Sequence, residues 1–220
     1  MLNILVNDYN SELKNKELKN RFINIQLKLK EQELKYLKSQ IHPHFLFNTL
    51  NTIYGFALKQ SQETPEIILK LSGLLDYILY HVNKPHVLLS DEINHIKNYC
   101  DLEKIRFRNK LDIQISETYF NSQTYIPPML LLPFIENAFK HGKSLNGKLI
   151  ISISIKTDKE QLYFSCKNSI NKNTTTSKEG IGLENLKNRL NMLYGIDYTL
   201  KTNSNTDFYI ATLKIPITHD

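Results

Sequence analysis

Cysteine is scarce here: among 220 residues only Cys100 and Cys166 carry a thiol. They are far apart, and neither sits in a metal-like or redox-like pair, which argues against a disulfide framework or a zinc site. A reduced, cytoplasmic setting is the expectation, with both thiols serving as small buried apolar groups. Long apolar runs are also missing. The best candidate, Met129 to Phe139, is broken by Pro133 and carries Glu136, so it does not read as a bilayer span. Met1 to Asn10 lacks the basic-then-apolar order of a secretion signal. Acidic residues are the minority, 22 against 28 basic ones, for a net charge of +6. The lysines are spread along helices without interleaved stacking aromatics, so direct nucleic-acid binding is not expected. A solvated basic face, or attraction to an acidic partner or a nucleotide, accounts for the charge. The hydrophobic share of 41% is enough for a buried core.

Proline and glycine are absent from about Ser11 to Gln40, a stretch rich in Lys, Glu, Leu and Gln. Leu18, Phe22, Ile25 and Leu29 recur at four- and three-residue steps, and Leu34, Leu37 and Ile41 resume after a phase shift. This predicts an amphipathic helix with an interrupted coiled-coil seam; a helix lying on its own domain is the alternative. The helix is expected to kink at Pro43, which lacks a backbone donor, and to continue through Phe45, Leu46, Leu50, Ile53 and Tyr54. Thr64 and Pro65 read as the cap and first position of a second helix, ended by Lys84-Pro85. Two such helices form an antiparallel hairpin, and two hairpins from two chains close a four-helix bundle. Ser90 reads as the cap of a third helix running to Phe107.

From Leu111 the pattern alternates. Leu111-Ile113-Ile115 predicts a strand, and a helix is expected from Met129 to His141. Leu149 to Ile155 and Leu162 to Cys166 read as one β-hairpin. A polar loop from Ser169 to Glu179 leads to a helix from Gly182 to Leu193. Closing strands are expected at Tyr198 to Lys201 and Phe208 to Ile215. The fold class is therefore α+β, partitioned at 1–36, 37–109 and 110–220.

Three motifs carry chemistry. Gln40-Ile41-His42-Pro43-His44-Phe45-Leu46-Phe47-Asn48 sets two histidines around a proline; neutral imidazole is a nucleophile near pH 7. In Leu132-Pro133-Phe134-Ile135-Glu136-Asn137-Ala138-Phe139-Lys140-His141-Gly142, Asn137, Lys140 and His141 share one side of a helix. An Asn carbonyl can ligate a hard cation, magnesium is usually held by few protein oxygens plus phosphate, and Lys140 offsets phosphate charge. An amphipathic helix with a polar rim explains the same residues. Gly180-Ile181-Gly182-Leu183 opens a helix after a polar loop, where glycines admit phosphate to the backbone and the helix N-terminus favours anions. A plain loop-to-helix turn is the alternative.

The segment from Leu37 to Asn48 resembles the histidine box of the LytS/YehU-like sensor histidine kinases. Ile135 to Gly142 resembles their N box, and Gly180 to Tyr194 their second glycine box with the helix after it. Tyr99 to Phe107 is similar to their linking helix. The resemblance covers residues 35 to 217. It implies a helical dimerisation and phosphotransfer domain joined to a Bergerat-type ATPase domain, an α/β sandwich shared with gyrase, Hsp90 and MutL. It implies ATP and Mg²⁺ as cofactors, a homodimer, an upstream membrane sensor, and a response-regulator partner, often with a LytTR domain.

Carried over by position, the resemblance makes His44 the phosphoacceptor, with His42 at a variable position. Asn137 holds Mg²⁺, Lys140 and His141 lie near the phosphates, and Gly180, Gly182 and Leu183 border the ATP lid. Where kinases of this class carry an adenine-binding Asp followed by glycines, this chain has Cys166-Lys167-Asn168-Ser169-Ile170. Asn168 stands in the Asp position, an acceptor without charge assistance. Asp76 is a second departure, at a position often basic. The expected chemistry is transfer of the γ-phosphoryl group to a ring nitrogen of His44, chiefly by positioning and charge neutralisation. No carboxylate follows His44; Asn48, one helical turn on, is the candidate to hold its tautomer, with Glu103 or Glu136 as distant helpers. A nucleotide-binding scaffold with lost catalysis and a coiled-coil interaction protein are the competing functions.

Overall fold

The computed structural model describes residues 14–28, 43–119, 121, 123–171 and 181–219. The chain divides into two compact units, 1–47 and 48–220. In the first, α1 is described over 14–28, and every one of those residues is exposed, including Leu18, Phe22 and Ile25 of the expected seam. Leu29, Leu34, Leu37, Ile41 and His42 lie outside the described residues, as does the Ser169–Glu179 loop beyond Asn171.

Helix α2 is described over Pro43–Leu58, with the proline of the histidine motif as its first described residue. Helix α3, Thr64–Tyr80, follows, with Pro65 in its first turn. Thr64 is not its cap. Its hydroxyl donates to the Ser61 carbonyl at 2.9 Å, and the N-cap position is Glu63. The helix stops at Tyr80, short of Lys84-Pro85. Its buried stripe of Ile67, Leu71, Leu74 and Tyr77 packs against α4, Leu89–Phe107. Ser90 likewise is inside the first turn of α4 and not its cap, because the extended strand β1, Val87–Leu88, runs straight into the helix.

A five-stranded sheet forms the second layer: β2 (Leu111–Thr118), β4 (Leu149–Thr157), β5 (Gln161–Ser169), β6 (Thr199–Ser204) and β7 (Phe208–Pro216), in the order β2-β4-β5-β7-β6. Strands β2 and β4 are parallel and the other pairs antiparallel. The alternating pattern sets the register. Ile153 pairs with Cys166, Ile155 with Phe164, and Phe164 with Leu213, so one face is continuously apolar. That face is covered by α5, Leu132–His141, which buries Phe134, Ile135, Ala138 and Phe139. Helix α6, Ile181–Tyr194, packs against α5 and buries Leu183, Leu186 and Leu190.

A second sheet, absent from the sequence reading, joins β1 to β3 (Thr124–Ile126) and β8 (Thr218–His219), all antiparallel. It draws three distant segments to the root of α5. The expected start of that helix at Met129 is also corrected. Met129 has φ 55°, and regular helix begins three residues later, at Leu132. A left-handed residue cannot belong to a right-handed helix.

Candidate nucleotide and phosphoacceptor sites

Asn137 is half-buried on α5, and Gly182 stands in the first turn of α6. The two face each other: a Cβ at Gly182 would stand 3.4 Å from Asn137 Oδ1 and 3.7 Å from its Nδ2. The glycine therefore keeps open the space beside the one amide oxygen expected to meet a cation, which fits a metal-nucleotide site. Lys140 and His141 are exposed in the last turn of α5, where cationic groups meet the negative end of the helix dipole. Partial burial of its ring, and then the charges of Lys140 and Lys143, hold His141 below the ordinary histidine range. Leu183 is buried and anchors the start of α6, whereas Gly180 lies outside the described residues.

Gly142 closes α5 for a steric reason. A Cβ there would run into the Ala138 carbonyl and within 2.5 Å of Leu149 Cδ1. The chain then turns past the end of β5. Ser169, fully buried, donates its hydroxyl to the Lys143 carbonyl at 2.6 Å and accepts the Ile150 N–H at 3.0 Å. Its own carbonyl accepts the Lys143 N–H at 2.8 Å and the Asn168 Nδ2 at 3.2 Å. Asn168 lies on the apolar face of β5, in register with Ile151 and Tyr209, and is buried. Its amide nitrogen is committed to the Ser169 carbonyl, which leaves Oδ1 as its accepting atom.

His44 and Asn48 are successive-turn residues of α2. The side chain of His44 is outside what the structure describes, and Asn48 is half-buried. Glu103, one expected distant helper, is buried and paired with Arg106 at 2.6 Å. Burial pushes its carboxyl up to about 7 against the pull of Arg106. Both thiols are buried, and burial pushes Cys166 up to about 12, so neither is reactive near neutrality.

Among the buried polar groups that sequence reasoning missed is a carboxylate. Glu92, fully buried in the first turn of α4, accepts hydrogen bonds from Tyr77, Met129 and Leu131. On sequence it is one more first-turn acid, indistinguishable from a solvated helix-dipole partner.

The histidine kinase family model matches residues 32–111, which contain His44 and the linking helix. The sensor histidine kinase BtsS of Escherichia coli strain K12 is 32% identical over 193 residues, 86% of this chain and 34% of that protein. The chain belongs to the histidine kinase family. The sensor protein LytS of Bacillus subtilis strain 168 is 30% identical over 190 residues, 80% of this chain and 32% of its own length. The sensor protein kinase HptS of Staphylococcus aureus strain USA300 is 28% identical over 232 aligned positions, 96% of this chain and 44% of its own. The chain thus spans about a third of the length of the curated relatives first matched. The solved catalytic domain of histidine kinase ThkA superposes with a TM-score of 0.46 at 15% identity, over 61% of this chain and 97% of that one, too loose a likeness to add to the sequence relationship. Among the described residues, no helix is long and apolar enough to cross a membrane.

Proposed function

We propose that this chain is the catalytic portion of an ATP-dependent sensor histidine kinase that phosphorylates His44 and passes the phosphoryl group to a response regulator. The carrying observation is the approach of Gly182 to Asn137, which brings two motif segments far apart in sequence to one place. Asn137 Oδ1 would hold Mg²⁺, and Lys140 and His141 would lie near the phosphates. Gly180, Gly182 and Leu183 would border the lid over them. Asn168 Oδ1 would accept the adenine amino group. Bound ATP would supply the γ-phosphoryl group, with Mg²⁺ neutralising its charge. His44 would attack through a ring nitrogen, since neutral imidazole is a nucleophile near pH 7. Asn48, on the next turn of α2, would hold the ring tautomer. The partition at 1–36, 37–109 and 110–220 follows as signalling helix, dimerisation and phosphotransfer domain, and ATP-binding domain. An upstream membrane sensor, a cytoplasmic position for this portion, and a regulator of LytTR type belong to the same reading.

Incubation with γ-labelled ATP and Mg²⁺ tests it. The expected product is an acid-labile, base-stable label, lost in His44→Gln and in Asn137→Ala. A second reading, a nucleotide-binding scaffold without catalysis, is favoured by Asn168, whose uncharged oxygen offers a weaker acceptor than the usual carboxylate. Nucleotide binding without label would establish that reading and reject the first.

A further inference from the structure

The loop 127–131, immediately ahead of α5, is held by an acid and a base, Glu92 and Arg189. Glu92 Oε2 accepts the Met129 N–H at 2.8 Å and Oε1 accepts the Leu131 N–H at 3.1 Å. The same Oε2 accepts the Tyr77 phenolic O–H at 2.5 Å. Arg189 of α6 donates Nη1 to the Met129 carbonyl at 2.8 Å and Nη2 to the Pro128 carbonyl at 2.5 Å. The left-handed φ of Met129 lets adjacent backbone groups serve both partners.

A carboxylate this deep is costly unless its oxygens are satisfied. Burial raises the Glu92 pKa, while Tyr77, the two backbone donors and Arg189 oppose that rise. The two backbone N–H groups and the Tyr77 hydroxyl together satisfy both of its oxygens. Four segments meet in this cluster. Tyr77 belongs to α3, Glu92 to α4, the loop leads into α5 with Asn137, and Arg189 lies on the helix that carries Gly182. Any shift of α6 against α5 on filling the space between Gly182 and Asn137 acts on the loop through a two-pronged guanidinium contact.

We propose that Arg189, Glu92 and Tyr77 are positioning residues that couple nucleotide occupancy between α5 and α6 to helix α3 of the phosphotransfer hairpin. The coupling rests on the nucleotide site proposed above and names the route by which its occupancy reaches the helical part. Arg189 fixes the loop to the glycine-bearing helix. Glu92 and Tyr77 hand the loop position to α3.

Amide hydrogen exchange of the purified chain, with and without a non-hydrolysable ATP analogue and Mg²⁺, tests the proposal. Tyr77→Phe removes only the hydroxyl and keeps the ring stacked on His95 at 4.2 Å and on His81 at 4.9 Å. In the unsubstituted chain the analogue should slow exchange across 64–80 by about threefold or more. Tyr77→Phe should bind the analogue within about twofold of the parent affinity, keep the protection of α5 and α6, and lose the protection of α3. A purely structural tyrosine would leave the analogue-induced protection of α3 intact while raising exchange with and without ligand alike, and that result overturns the coupling. Arg189→Lys, which keeps the charge and loses the fork, should also lose the response of α3. Should Tyr77→Phe not fold, a full α3 response in Arg189→Lys overturns the proposal instead. An analogue that binds without altering α3 in the parent chain rejects the coupling alone. An analogue that does not bind rejects the nucleotide site, and the coupling with it.

Discussion

His95 sits inside α4 at 2% exposure, stacked on Tyr77, with neither ring nitrogen hydrogen-bonded. Burial, assisted by the nearby charge of His81, pushes it down to about 4 from an ordinary 6.5. Between those values the unfolded chain binds a proton that the folded chain refuses, so stability falls as pH drops from 6.5 towards 4. Glu103 has the opposite sign. With its carboxyl pushed up to about 7 from 4.5, the folded state holds the extra proton, and stability falls as pH rises through that window. The two slopes oppose each other in the parent chain. His95→Phe, which forfeits no hydrogen bond, should raise stability at pH 5 by on the order of 2 kcal/mol and unmask the Glu103 slope. Melting temperature measured from pH 4.5 to 7 checks this, and an unchanged profile would refute the assignment to His95. At Gly182 the expectation divides in another way. Gly182→Ala should gain helix propensity, up to about 1 kcal/mol, while its methyl takes up the space in contact with Asn137 Oδ1. Thermal stability should hold or rise as affinity for Mg²⁺ and an ATP analogue drops about three- to tenfold, a difference on the order of 1 kcal/mol. Calorimetric titration beside a thermal melt reads both.

Among the elements, α5 depends most on its ends. Its left-handed entry at Met129 is held by Glu92 and Arg189, and its exit by the missing side chain of Gly142. Gly142→Ala meets the Ala138 carbonyl and Leu149 together, so either the last turn of α5 or the start of β4 must move. A loss of about 1–3 kcal/mol in denaturant unfolding is expected, typical of overpacking. The strands were legible because Leu111, Ile113, Ile115 and the Leu149–Ile155 run alternate with period two, and that period puts one face on the core. Helix starts were less legible. Thr64 and Ser90 have the right side chains for caps, but a hydroxyl can instead donate to an upstream carbonyl, and strand β1 delivers the chain to α4 without needing one. The two-residue strands β1 and β8 have no periodicity to read, since each forms only because distant partners lie alongside.

For the whole molecule, the surface of α2 is telling. Phe47, Leu50, Tyr54 and Leu58 recur at three- and four-residue steps and are 67%, 47%, 64% and 67% exposed. An apolar stripe left open on a helix favours association, in keeping with the proposed homodimer and its four-helix bundle. Tyr54→Glu should convert a dimer to a monomer in sedimentation equilibrium; a chain that is monomeric before substitution would contradict the bundle. Local composition by itself determined the α+β class, the core face of the sheet, and the three motifs with their candidate residues, because side-chain period and residue chemistry are properties of short windows. What only the tertiary structure decided is which of those windows meet. Gly182 came to rest against Asn137, Asn168 turned its amide nitrogen to the Ser169 carbonyl, and Glu92 became a buried acceptor between α3, α4 and the root of α5. The reason is that burial and hydrogen-bond partners depend on contacts between distant segments, and these exist only once the sheet has brought its helices together.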